Sequence, residues 1–133
     1  MFFDKNKRND LIKVSALLIH AAKIDQNYSS QEQKIIKQAL KEIGADNENL
    51  DEILEKAEEI ENNSVQILEY TREIKGMNQE NKVKIIETLW RIIYSNKDAD
   101  MYETNLMRRL GGLLYIESKL MGDIKNKIKK EIL

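Results

Sequence analysis

The sequence predicts an all-α fold: a single-domain bundle of about seven helices spanning residues 1–133. Three observations lead there. The chain has no Pro and only 5 Gly, which leaves little material for the tight turns of a β-sandwich or barrel. Apolar residues recur three and four apart along nearly its whole length. Its 133 residues suffice to bury one core and are too few for two.

The first helix is expected from about Asp10 to Ile24. Leu11, Val14, Leu17, Leu18 and Ala21 form its stripe, and Ile12, Ala16, Ile19 and Ala22 widen it, so contact on more than one side is implied. A second helix runs from Ser30 to Ile43, with Ile35, Ile36, Ala39, Leu40 and Ile43 inward and Gly44 as its stop. The third covers Asn47 to Glu61 on Leu50, Ile53, Leu54, Ala57 and Ile60. Residues 41–61 carry nine acids against two lysines, which reads as a solvated face because the apolar register is kept.

Asn62-Asn63-Ser64 reads as a break with an N-cap, opening a short helix through Val65, Leu68 and Ile74 that ends near Gly76. Asn78 caps a fifth helix reaching about Ser95, which buries Val83, Ile86, Leu89, Trp90 and Ile93 and has Ile85 and Ile92 on a second face. A sixth runs from Met101 to about Leu114 through Leu106, Met107, Leu110 and Leu113. The last extends from about Glu117 to Leu133, with Ile116, Leu120, Ile124, Ile128 and Ile132 in line and Lys119, Lys125, Lys127, Lys129 and Lys130 opposite. That basic face is read as a solvated helix end in preference to an anionic or membrane contact.

Several function classes drop out. With no Cys there is no disulfide scaffold, thiol nucleophile or Cys-ligated metal, and the single His20 excludes a multi-His site within one chain. A net charge of −1 offers no global attraction for nucleic acid. No apolar run approaches the roughly 20 residues of a membrane span. Met1-Phe2-Phe3-Asp4-Lys5 lacks the regions of a secretory signal, so a soluble, cytoplasmic protein is expected.

A shift of 71 positions superposes the first and fifth helices together with the loops that follow them: Leu18 falls on Leu89, Ile19 on Trp90, Ile35 on Leu106 and Ile36 on Met107. The reading is an internal pseudo-two-fold helix–loop–helix repeat. Asp25, Asn27, Ser29 and Glu32 stand at relative positions 1, 3, 5 and 8, and Asn96, Asp98, Asp100 and Glu103 repeat the spacing. Alternate residues of a tight loop can face one concavity, and a carboxylate on the next helical turn can close it. An all-oxygen set selects a hard cation, Ca²⁺ before Mg²⁺ or Mn²⁺. On charge, the second loop is the tighter site.

Local structure explains much of the same pattern. Ser29-x-x-Glu32 is a capping box, and Asp100-x-x-Glu103 can serve alike. Turn preference covers Asp25, Asn27, Asn96 and Asp98. Neither loop has the sixth-position glycine of an EF-hand, and Ile36 and Met107 stand at the twelfth position where its glutamate belongs, so these are not EF-hands.

The stretch Leu18 to Glu32, with Asp25-Gln26-Asn27-Tyr28-Ser29 at its centre, resembles the first signature of TerB-like, tellurite-resistance-type proteins. Leu89-Trp90-Arg91-Ile92-Ile93-Tyr94-Ser95-Asn96-Lys97-Asp98-Ala99-Asp100-Met101-Tyr102-Glu103 resembles the second, and Leu106-Met107-Arg108-Arg109-Leu110-Gly111-Gly112 continues it. The resemblance implies an all-helical fold shared with the N-terminal region of DjlA-type co-chaperones and a role in stress or tellurite resistance. It also implies metal at an acidic set that here is Asp25, Glu32, Asp100 and Glu103. The family's Asp-Gly pairs become Asp25-Gln26 and Asn96-Lys97, which removes one charge and both glycines. Expected partners are proteins, membrane-associated stress-response components among them, rather than nucleic acid or a small-molecule substrate.

No catalytic residue is assigned, since no Ser or Thr has a spacing-supported base and no Gly-rich phosphate loop exists. The expected activity is therefore a non-enzymatic module acting through protein association, with divalent metal at the acidic turns. The alternative is a metal-independent, co-chaperone-like interaction domain whose acids only cap helices. His20 is expected to be packed or hydrogen-bonded. Trp90 and Tyr94 are expected to be core aromatics with polar tips at the surface, and Arg108 and Arg109 to pair with acids of the preceding loop. Gly111-Gly112 costs about 1 kcal/mol per glycine within a helix, which close approach of a neighbouring helix would explain.

Overall fold

A computed structural model describes the backbone of residues 4–23, 30–63, 68–95 and 101–132, and their side chains except at 4–7, 68–69 and 101–104. Among the described residues the fold is all-α, with seven helices: α1 (Asp4–Lys23), α2 (Ser30–Ile43), α3 (Leu50–Asn63), α4 (Leu68–Lys75), α5 (Gln79–Ser95), α6 (Met101–Leu113) and α7 (Ser118–Ile132). A single 3-10 turn, Asn47–Asn49, leads into α3.

The two helices with the widest apolar faces lie at the centre. α1 packs on α3, α4, α5 and α2, and α5 on α7, α2 and α1. Leu11, Ile12, Val14, Ala16, Leu17, Leu18, Ile19, Ala21 and Ala22 are all buried, as contact on several sides requires. Ile85, Ile86, Leu89, Trp90, Ile92 and Ile93 do the same for α5. Under the 71-position shift the α1–α3 pair corresponds to the α5–α7 pair, whereas α2 packs on α5 and α6 on α4.

Helix ends follow local chemistry. Gly44 takes φ 120°, and the N–H groups of Gly44 and Ala45 donate to the Lys41 and Leu40 carbonyls at 3.1 and 2.9 Å, a Schellman stop. Asn78 Oδ1 accepts from the Asn81 N–H at 2.8 Å, the predicted N-cap of α5.

Some expectations need correction. α1 begins at Asp4 rather than Asp10, because no breaker interrupts the polar residues before Asp10, and Arg8 pairs with Glu52 of α3. The third helix passes through Asn62 and Asn63, while Ser64 and Val65 lie outside the described residues. Ile35, Ile60, Val83, Leu106, Leu113 and Leu120 are only half-buried, and Ile132 is 40% exposed at the end of α7. The Trp90 tip does not reach the surface: the residue is 3% exposed and its Nε1 is buried, with the ring stacked on Tyr94 at 5.8 Å. Burial raises the Tyr94 hydroxyl pKa above its ordinary value.

Gly111 and Gly112 part company. A Cβ on Gly111 would lie 3.3 Å from Met121 Cγ of α7, the close approach expected, whereas one on Gly112 meets nothing within 4 Å.

Candidate functional site

Asp25, Asn27 and Ser29, together with Asn96, Asp98 and Asp100, lie outside the described residues, as does the Glu103 side chain. What can be placed is the framework. α2 starts at Ser30 and α6 at Met101, so Glu32 and Glu103 are each the third residue of their helix. Ser29 and Asp100 immediately precede the two helices, which puts both loops in capping-box register. Carboxylates in a first turn also oppose the helix macrodipole.

Glu32 carries a further feature that spacing did not reveal. It is 0% exposed. A fully buried carboxylate demands local compensation by hydrogen-bond donors, a helix N-terminus or a cation, because desolvating it otherwise costs several kcal/mol. The oxygen-rich chemistry of the loop before it fits a hard cation as well as it fits a cap. Among the described residues no group of three or more His, Asp or Glu could hold a metal.

The end of α1 is held beside the first loop by residues that spacing did not single out. Lys23 Nζ donates to Glu61 Oε2 at 2.9 Å and to Asn62 Oδ1 at 3.0 Å, tying α1 to the last turn of α3. His20 Nδ1 stands 3.5 Å from Glu61 Oε1, and its ring packs 6.4 Å from that of Tyr70. The Glu61 side chain is only 12% exposed, whereas Glu42, Asp46, Glu48, Asp51, Glu52, Glu55 and Glu59 in the same acidic run face solvent.

The basic face of α7 is partly engaged. Lys127 Nζ donates to the buried Glu87 Oε2 of α5 at 2.5 Å, and Lys125 Nζ sits 5.3 Å from the Trp90 ring centroid. Lys119, Lys129 and Lys130 are exposed, as a solvated face predicts. Arg108 and Arg109 are exposed and form no ion pair among the described residues.

The architecture is a helical bundle whose two broad central helices are each followed, after an oxygen-rich stretch of sequence, by a helix with glutamate as its third residue. The family model for the tellurite resistance protein TerB matches residues 11–126, and the chain belongs to that family. No curated protein matches it. No solved structure matches it. No helix among the described residues is long and apolar enough to cross a membrane.

Proposed function

We propose that this chain is a non-enzymatic TerB-like module acting through protein association in a stress response, with a divalent cation at its acidic helix–loop–helix turns. The complete burial of Glu32 carries the metal part of the reading, because a carboxylate closing a cation cage is withdrawn from solvent. Asp25, Asn27, Ser29 and Glu32 would supply the first set of oxygens, and Asn96, Asp98, Asp100 and Glu103 the second. Ca²⁺ is favoured over Mg²⁺ and Mn²⁺ because uncharged oxygens share both sets. The ion's role is structural: it ties each loop to the helix that follows. The exposed acids between Glu42 and Glu59 support association with a partner of opposite charge, and we include membrane-associated stress-response components among the proposed partners.

The capping-box register supports a second reading, a metal-independent, co-chaperone-like interaction domain. Thermal unfolding after chelation, then with Ca²⁺, Mg²⁺, Mn²⁺ or Zn²⁺ added singly at millimolar concentration, separates the two. A bound ion at 100 times its dissociation constant stabilises by about 2.7 kcal/mol, a shift of several degrees in a domain of this size. The expected result is a Ca²⁺-dependent rise that Glu32→Gln and Asp100→Asn each reduce and the double variant abolishes. Equal destabilisation by these variants with and without metal would leave only the caps.

A further inference from the structure

A cavity of about 260 Å³ opens between α5, α6 and the first turns of α7. Among the described residues two cations line it, Arg108 and Lys125, together with the Ser118 hydroxyl and no carboxylate. Arg108 is exposed and has no ion-pair partner among the described residues, so its charge is available at the mouth. Lys125 is held over the indole face of Trp90.

Trp90 itself lines the cavity, is 97% buried by its 3% exposure, and has an Nε1 donor with no hydrogen-bond partner. Buried donors are nearly always satisfied, so an unpaired one on a residue that lines a cavity points to an acceptor brought by a ligand. Reaching it requires a side-chain shift, which the unbranched Met107 and Met121 on the same wall permit. The glycines make the same point by their spacing. Gly111 is needed for contact with Met121, but Gly112 and Gly122 also line the cavity, and a Cβ on either meets nothing within 4 Å. Helix packing gives no reason for those two, and what they leave is access.

We propose that this cavity binds a small carboxylate with a compact apolar or aromatic body. Its carboxylate lies between Arg108 and Lys125 and accepts the Trp90 N–H, and its body packs against Met107 and Met121. The volume, below the roughly 300–1,000 Å³ of drug-sized pockets, limits the body to about one ring. The site goes beyond the loop reading and uses none of its residues. The proposal is one of binding alone.

Trp90 is the only tryptophan, so its indole N–H gives one resonance to follow by ¹H–¹⁵N NMR. Titration with phenylacetate should shift that resonance saturably, with a Kd at or below about 1 mM. Phenylacetamide, lacking the charge, should bind at least about tenfold more weakly, and inorganic phosphate, lacking the apolar body, should give no saturable shift. Gly112→Leu, whose Cβ meets nothing within 4 Å, should abolish binding while circular dichroism and Tm are kept, and Arg108→Gln should weaken it about tenfold. Absence of a saturable phenylacetate shift, equal binding of the amide or of phosphate, or unchanged binding in Gly112→Leu would each overturn the proposal.

Discussion

Lys82 on α5 donates its ammonium to the Leu114 carbonyl at 3.1 Å, so one helix supplies the cation that closes the C-terminus of another. The lysine is 8% exposed, and its charge meets the negative end of the α6 dipole. Lys82→Met keeps the apolar stem and removes the donor. The expected loss is about 1–3 kcal/mol, seen as a fall of several degrees in Tm, and Lys82→Arg should lose less.

Tyr115 holds the left-handed position that ends α6. Its φ is 58°, its N–H donates to Gly112 O at 3.3 Å, and the Ile116 N–H donates to Gly111 O at 2.9 Å, the same stop that Gly44 makes for α2. An L side chain is strained there. Because the ring is 72% exposed, Tyr115→Gly removes little packing. It should stabilise by up to about 1 kcal/mol in denaturant unfolding, net of the added freedom of the unfolded chain. Tyr115→Ala keeps the strain and loses the contact of Lys75 with the ring, 5.1 Å from its centroid, so it should not stabilise.

Two carboxylates should give opposite responses to acid. Burial first, and the neighbouring Glu73 second, hold the Asp10 pKa above its ordinary value. A raised carboxylate pKa means the folded state binds the proton more tightly, so Asp10 opposes folding above its folded pKa and the opposition fades as pH falls. Asp10→Asn should therefore raise Tm at neutral pH, with the gain shrinking in acid. The Arg91 guanidinium, bonded to Glu131 at 2.8 and 3.2 Å, holds the Glu131 pKa below its usual value. Its stabilisation is present above the unfolded carboxylate pKa and is lost as pH falls through the lower folded value. Glu131→Gln should lower Tm at neutral pH, by a deficit that closes in acid.

Glu61 anchors the end of α1 beside the first loop. Glu61→Gln should cost about 1–2 kcal/mol, because it removes the charge that Lys23 meets at a site largely withdrawn from solvent. A double-mutant cycle with Lys23→Met should return a favourable coupling. A coupling near zero would make the pair an incidental surface contact.

The helices, their apolar faces and several of their ends follow from sequence alone. Those are local properties: period, cap and stop are set within four residues, so Asn78 and Gly44 were legible before any fold was known. The two oxygen-rich loops were legible too, as spacing. Which polar groups lose their water is settled by the packing of one helix on another. Glu32 lies in an ordinary capping pattern yet is fully buried, and Glu61 is the nearly buried member of an acidic run whose other members, half-buried Glu58 apart, face solvent. Glu87 takes its partner from Lys127, 40 residues away, and Lys82 takes its own from Leu114, 32 residues away. Trp90 reads as a core aromatic, but its unsatisfied N–H and the cations around it arise only where α5, α6 and α7 converge. Hydrophobic patterning chooses the face of each helix. Burial of a charge or a donor depends on which distant face comes to cover it, and no local period encodes that.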